Sequence, residues 1–226
     1  MTLILNIETS TTNCSVSISN DEEIIALEEK DFENYSHSEV LHIYINDLFR
    51  KSGLAINDIS AVSISEGPGS YTGLRIGSAT AKGICFALKI PLIALDTMDI
   101  LAKKIKSKTG YIIPSLDAGR NEIYFSVFDC NYKKIQPTNF KELKTKSFEK
   151  YLDSESVNFV GNANNKLKKF LNSNNAIFSK KELPSSLEMV SLSFDKFSRN
   201  ESVSSGCSIN SLLNCCLIDV GKSVPQ

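Results

Sequence analysis

The chain opens on a short apolar run over residues 3–7, followed by a polar loop through Asn13. Over residues 14–19, Cys14, Val16 and Ile18 alternate with serines, the period of two that marks a strand. Asn20-Asp21 reads as a tight turn and residues 23–28 as a further strand, so the pattern predicts a three-stranded meander. Ser36 is placed as an N-cap with Glu39 three residues on, a capping box. The helix it opens runs to about Lys51, with Gly53 as its stop. Its apolar positions (Val40, Leu41, Ile43, Tyr44, Ile45, Leu48 and Phe49) cover more than the single stripe of a surface helix. This predicts a helix sandwiched inside the fold or docked on another protein.

Residues 60–65 read as a buried strand that turns through Glu66-Gly67-Pro68-Gly69-Ser70-Tyr71-Thr72-Gly73 into a second long helix ending near Leu88. Gly77 and Gly83 inside it each cost roughly 1 kcal/mol relative to Ala, which predicts close backbone approach at both. A strand over residues 91–95 and a helix from Thr97 to about Lys106 complete this half. The second half repeats the plan. Strands are expected over residues 111–116, 123–128 and 134–140, then a helix over 146–152, a strand over 157–160 and a helix over 164–172. A last helix from Pro184 places Leu187, Val190, Phe194 and Phe197 on one face. Three strands, helix, strand, helix, occurring twice, predicts an α/β fold of two ribonuclease-H-like lobes, residues 1–107 and 108–201. Residues 202–226, rich in serine and cysteine, are expected to form an atypical, disordered tail, frameshifted or divergent.

Composition narrows the chemistry. The 226 residues carry 25 Lys and Arg against 26 Asp and Glu, a net charge of −1, without the basic excess expected of a protein gripping a long phosphate backbone alone. No apolar run approaches the roughly 18 residues of a membrane span, and the N-terminus lacks the basic start of a signal peptide, so a cytoplasmic protein with reduced cysteines is expected. The six cysteines form no CxxC pair, and the two histidines, His37 and His42, are five apart on different helix faces, so no metal site is expected. Cys14 and Cys85 read as small buried hydrophobes.

Three phosphate-binding patterns compete. Val220-Gly221-Lys222-Ser223 imitates the end of a P-loop but lacks the earlier glycine, and Cys216 stands in its place. Gly67, Gly69 and Gly73 follow a strand and open a helix, with Asp96 placed as a ribose-binding acid would be, but a meander precedes them where a dinucleotide fold needs a βαβ unit. Glu8, Thr9 and Ser10 at the tip of the first strand, with Asp117 as the second-lobe counterpart, suit the metal and phosphate contacts of an actin-like ATPase. They suit ordinary turns as well. Neither a nucleophile elbow nor a credible nucleophile–histidine pair is present for a peptidase.

The residues 4–11 (ILNIETST), His37-Ser38-Glu39, the residues 67–77 (GPGSYTGLRIG) followed by Ala81-Lys82-Gly83, and the residues 117–124 (DAGRNEIY) resemble the TsaB (YeaZ) family. The resemblance is convincing over residues 1–130 and rests on element order beyond. It implies the two-lobed fold of the actin and heat-shock chaperone superfamily. It also implies a role in making threonylcarbamoyladenosine beside the anticodon of tRNA. In that family TsaB is not the catalyst: its paralogue TsaD carries metal-binding histidines and transfers the threonylcarbamoyl group, and TsaE, an ATPase, joins the pair. The implied partners are TsaD in a heterodimer, TsaE, a second copy when alone, and tRNA through the complex. The implied cofactor set is none of its own, with ATP or ADP admitted at the partner interface. The two helices through which family members pair place the interface at Leu41, Tyr44, Ile45 and Leu48 on the first and Tyr71, Leu74, Arg75 and Ala79 on the second. Rival readings are a free-standing actin-like ATPase using Glu8, Thr9, Ser10 and Asp117, a glycoprotease-like hydrolase, and a nicotinamide-binding protein.

Overall fold

Strand β1 (Leu3–Glu8) is buried at every position, because it lies at the centre of a sheet covered on both faces. A computed structural model describes residues 2–32, 37–180 and 182–201. Around β1 run β2 (Asn13–Asn20), β3 (Glu23–Asp31), β4 (Ala61–Gly67) and β5 (Leu92–Asp96), in the order β3-β2-β1-β4-β5. The first three pair antiparallel and β1, β4 and β5 pair parallel, as the meander and the intervening helices require. Helices α1 (His37–Ser52) and α2 (Tyr71–Leu88) cover one face, where Leu5, Ile7, Val16 and Ile18 meet Leu41, Ile45 and Leu48.

The second sheet repeats the first, with β6 (Tyr111–Asp117), β7 (Glu122–Asp129), β8 (Lys134–Glu142), β9 (Val157–Val160) and β10 (Ala176–Phe178) in the order β10-β9-β6-β7-β8. Helices α4 (Glu149–Leu152) and α5 (Asn164–Phe170) cover its outer face over Phe125, Phe148, Phe159 and Leu167. Short β10 carries too few apolar residues to stand out in the sequence. The duplication leaves one residue-level mark: each fourth strand ends at a glycine of positive φ, Gly67 at 110° and Gly161 at 128°.

The lobes are bound by an exchange of helices. Helix α3 (Thr97–Ala102) places Met98, Leu101 and Ala102 on Ile112, Leu116 and Phe128 of the second sheet. Helix α6 (Ser186–Ser198) returns to the first sheet, where Met189 meets Ile4, Ile93 and Leu95. The boundary at 107/108 therefore separates the sheets, but the last helix of segment 108–201 packs on the first lobe. Lys134 of β8 bridges back to Asp96 at 2.9 Å and Asp99 at 2.8 Å, and Thr138 donates to Asp96 at 2.5 Å.

Several expectations are corrected. Helix α3 stops at Ala102 rather than near Lys106, because the Lys104 and Ile105 N–H groups bond only three residues back, to the Leu101 and Ala102 carbonyls, at 3.1 Å each. The helix expected from Lys146 begins at Glu149, after Phe148 adopts a left-handed conformation (φ 65°) that buries its ring against Phe125 and Phe159. On α6 the buried residues are Ser186, Met189, Val190 and Ser193, with Phe194 and Phe197 packed against the same core as expected, while Leu187 is exposed. The Ser36 cap and residues 202–226 lie outside the described residues.

The serines of β2 turn inward too. Ser15, Ser17 and Ser19 are fully buried, facing the side that α6 covers. At the centre of this polar seam, Asn6 Oδ1 accepts the Ser63 hydroxyl at 2.6 Å and the Ser193 hydroxyl at 2.8 Å, joining β1, β4 and α6. Ser15 lies 2.8 Å from Ser186, and Asn13 donates to the Pro184 carbonyl at 2.9 Å. Asn6→Ala would strand the buried Ser63 hydroxyl and leave Ser193 only the Val190 carbonyl, so a loss of about 1–3 kcal/mol is expected, with Tm lower by roughly 2–8 °C. Ser19→Ala, which removes only a 3.3 Å contact, should cost under about 1 kcal/mol. Equal losses in urea unfolding would show that the seam is not centred on Asn6.

Candidate functional site

The loop after β1 holds the residues expected to meet phosphate, and the fold closes over it. Glu8, Thr9, Ser10 and Thr11 are all buried. Glu8 Oε1 accepts the Ser10 N–H at 2.6 Å, and Oε2 has no hydrogen-bond partner among the described residues. Burial pushes the Glu8 carboxyl up to about 7, against the opposing pull of Ser10, Ser65 and the Lys104 charge.

The roof is the first two turns of α2, and the glycine motif makes it fit. A Cβ at Gly69 would stand 2.4 Å from the Ser10 carbonyl, one at Gly73 2.1 Å from the Thr9 carbonyl, and one at Gly77 2.3 Å from Thr9 Oγ1. The Ser70 N–H donates to the Ser10 carbonyl at 2.6 Å, and the Ser70 side chain caps the Gly73 N–H. His37 closes the remaining side: its buried Nε2–H donates to the Thr11 carbonyl at 2.7 Å, and burial lowers its pKa. At this helix start the Ser70 N–H is taken by a backbone carbonyl and the Gly73 N–H by the Ser70 hydroxyl.

The other predicted ligands are dispersed. Asp117 is at the surface, where its Oδ1 accepts the Gly119 N–H at 2.7 Å and Lys166 Nζ at 2.5 Å. Lys166 also donates to the Gly119 and Glu122 carbonyls, so Asp117 belongs to a turn-stabilising knot. A polar cleft of about 630 Å³, lined by Thr12, Asn13, Lys30, Lys104, Asn162 and Lys180 among others, is lined by neither Glu8 nor Asp117. Asp96 caps α3 through the Met98 N–H at 2.8 Å and holds Lys134, which corrects its reading as a ribose ligand. His37 points inward and His42 outward, and among the described residues no three His, Cys, Asp or Glu gather to hold a metal. Burial pushes the Cys14 thiol up to about 12 and the Cys85 thiol up to about 11, which keeps both protonated.

The expected interface residues divide into two sets. Leu41, Ile45, Leu48 and Leu74 are buried in the chain itself, which corrects their placement as partner contacts: α1 is apolar because it packs on β2 and β3. Tyr44 is half-buried against the same core, while Tyr71, Arg75 and Ala79 remain outward, with the Arg75 guanidinium 5.1 Å from the Tyr71 ring. Between the two helices lies a groove of about 500 Å³ lined by His42, Asn46, Ile56, Ala79, Gly83 and Ile84, among others. Gly83 has open space around it, unlike Gly77, so no described residue approaches it. Sequence reasoning missed Phe86, 78% exposed on α2, and Ile43, 55% exposed on α1. Their signal is an apolar residue on the helix face opposite the buried stripe.

Two measurements check this geometry. Gly73→Ala should lower stability by several kcal/mol, because its Cβ would fall on the Thr9 carbonyl, while Gly83→Ala should raise it by up to about 1 kcal/mol; matched effects in thermal melts would refute the roof. Glu8 binds its proton more tightly in the folded chain than its ordinary value of 4.5 allows, so its contribution is complete below that value and is lost as pH rises through about 7. Relative to Glu8→Gln, the wild-type chain should therefore lose about 2–3 kcal/mol between pH 5 and pH 8. Parallel urea titrations of the two proteins test this, and equal pH slopes would contradict it.

A family model for TsaD, tRNA N6-adenosine threonylcarbamoyltransferase, matches residues 33–205. The tRNA threonylcarbamoyladenosine biosynthesis protein TsaB of Buchnera aphidicola from Acyrthosiphon pisum is 31% identical over 135 residues, 59% of this chain and 60% of that protein. TsaB of Escherichia coli is 32% identical over 129 residues, 55% of this chain and 54% of that protein. The chain thus spans little more than half the length of these curated relatives. Among solved structures, an uncharacterized protein with similarity to peptidase YEAZ from Pseudomonas aeruginosa superposes with a TM-score of 0.81 at 20% identity, over 92% of this chain and 97% of that one. YeaZ from Pseudomonas aeruginosa gives a TM-score of 0.76 at 21% identity, over 91% and 96%. At such identity the likeness speaks for the fold alone, two α/β lobes. The family match over most of the chain and the agreement of these relatives establish that the chain belongs to the TsaD family and, within it, to the TsaB (YeaZ) proteins.

Proposed function

We propose that this chain is a non-catalytic partner of a TsaD threonylcarbamoyltransferase in the biosynthesis of threonylcarbamoyladenosine next to the tRNA anticodon. The observation that carries this reading is the pairing of a closed loop with an open groove. The Glu8–Thr11 loop is roofed by α2, whereas the outer side of α1 and α2 keeps Ile43, Tyr71 and Phe86 exposed beside a concave apolar surface. Contiguous exposed apolar surface of this kind marks a docking site. The partner that fits it is the corresponding helix pair of TsaD, or of a second copy when TsaD is absent, with the bare backbone at Gly83 admitting a helix closely. In this reading TsaE and any ATP or ADP join at the complex rather than in this chain's own loop. No described helix is long and apolar enough to cross a membrane, and the site of action is the cytoplasm.

Purified chain is mixed with the TsaD of its own organism, and association is followed by light-scattering chromatography with and without ATP. Phe86→Asp and Ala79→Arg alter outward positions, so stability should change by under about 0.5 kcal/mol, while association weakens at least tenfold, the size of a moderate hot spot. A complex unaffected by either substitution would remove this face from the interface. Leu48→Asp reports on the core instead, since Leu48 is fully buried. ATP turnover by the isolated chain that vanishes in Glu8→Ala would favour the free-standing ATPase.

A further inference from the structure

We propose that the outer layer of the second lobe carries its own contact site for RNA, in which Lys141, Lys146 and Lys150 receive phosphates of the backbone. The near-neutral total charge conceals a strong segregation. Residues 1–107 hold 9 Lys and Arg against 14 Asp and Glu, a net −5, whereas residues 108–181, before α6 returns to the first sheet, hold 13 against 7, a net +6. A polyanion in the field of such a chain is steered to one lobe and away from the other.

Within the positive lobe some lysines already have carboxylates: Lys134 binds Asp96 and Asp99, Lys166 binds Asp117, and Lys144 lies 4.0 Å from Glu142. Lys141, Lys146 and Lys150 differ. They line one concavity of about 280 Å³ together with Gln136, Glu149 and Tyr151, and among the described residues none of the three has an ion-pair partner. Aromatic faces place the ammonium groups without neutralising them. Lys141 Nζ lies 5.1 Å from the Phe148 centroid and 5.9 Å from that of Phe125, and Lys150 Nζ lies 5.6 Å from that of Tyr151. Three like charges around one hollow repel each other, and multiple phosphates relieve that repulsion while releasing counterions. Exposed Lys168 and Lys169 extend the charge over the layer formed by α4 and α5.

The same geometry disfavours an acidic protein surface. A protein interface needs apolar anchors to desolvate, but Phe125 and Phe148 are buried, at 3% and 5% exposure, beneath the Lys141 side chain. The spread of lysines over a whole layer suits a chain of phosphates better than a single one. This inference deepens the function proposed above by giving the chain a direct hold on its tRNA substrate, yet it can fail separately from that reading.

The test is fluorescence anisotropy of the full-length chain with an unmodified tRNA transcript, from about 50 to about 200 mM KCl, over which the Debye length falls about twofold. In the triple variant K141A/K146A/K150A, affinity at low salt should fall at least tenfold and the salt slope by about 2–3. The triple R50A/K51A/K89A removes the same charge from the first lobe and should change both by less than about twofold. K146Q/K150Q, altering only exposed side chains, provides a second variant if the first melts early. Absence of binding at tens of micromolar in low salt would overturn the proposal, as would equal losses in the two triples. Salt-sensitive self-association that the second-lobe triple abolishes, without RNA binding, would overturn it in favour of a second copy's acidic lobe. TsaD association is read by the α1/α2 groove variants, so failure of the partner reading with tRNA binding intact leaves this inference standing.

Discussion

Thr9 and Ser10 offer backbone carbonyls to the opening turns of α2, and the first lobe depends on how close they come. Side chains at Gly69 or Gly73 would fall on those carbonyls, so the approach is possible only for this glycine pattern. The first N–H groups of a helix need acceptors. Here the Ser70 N–H finds one in the Ser10 carbonyl, in the place where a phosphate-binding loop would present its donors to an anion. The contact shuts Glu8 away from water, which raises its proton affinity. It also fixes α2 against β1 and so sets the groove that α2 forms with α1. One packing contact thereby sets both the closed loop and the outward-facing groove.

The lobes are joined by polar chemistry as much as by apolar packing. Asp96 ends β5, caps α3 and receives Lys134 and Thr138 from the edge strand of the other sheet. On the first sheet, α6 is tied by Asn6 and the β2 serines rather than by apolar contact alone. Such buried networks add little net stability when satisfied, but they make alternative arrangements costly because each broken bond strands a buried group. A sheet face lined with serines accepts one helix in one register. The reciprocal placement of α3 and α6 then leaves neither lobe complete without the other.

The order of elements was legible because each strand and long helix carries its own period. The duplication was visible in that order, and the glycine stretch was correctly readable as close packing, although of the loop rather than of a ligand. Burial on two faces was not legible. Ser15, Ser17 and Ser19 look like a solvent face to a period-2 reading, yet they are buried because α6, about 170 residues later, supplies Ser186 and the Ser185 hydroxyl. The apolar excess of α1 gave the same ambiguity in reverse: Leu41, Ile45 and Leu48 serve the chain's own core, and the outward surplus is Ile43 with Phe86 of α2. Gly77 and Gly83 are indistinguishable in sequence, since only the Thr9 hydroxyl beside the first separates them. Asp117 could not be assigned either, because Lys166, which neutralises it, lies 49 positions away.

Whole-chain charge misled for a related reason: an average over two lobes of opposite sign says nothing of either. The apolar groove belongs to the first lobe and the lysine layer to the second, so occupation of one leaves the other open. Two contacts on one rigid body make the second binding event intramolecular, and their affinities reinforce each other through effective concentration. Under the proposed function the chain then acts on a reaction by holding a catalyst with one lobe and a polyanionic substrate with the other. That division explains why the interior of the cleft can be given over to structural hydrogen bonds. The physical demands of joining two partners fall on outer surfaces, and those are the surfaces where this fold leaves apolar and cationic side chains unmatched.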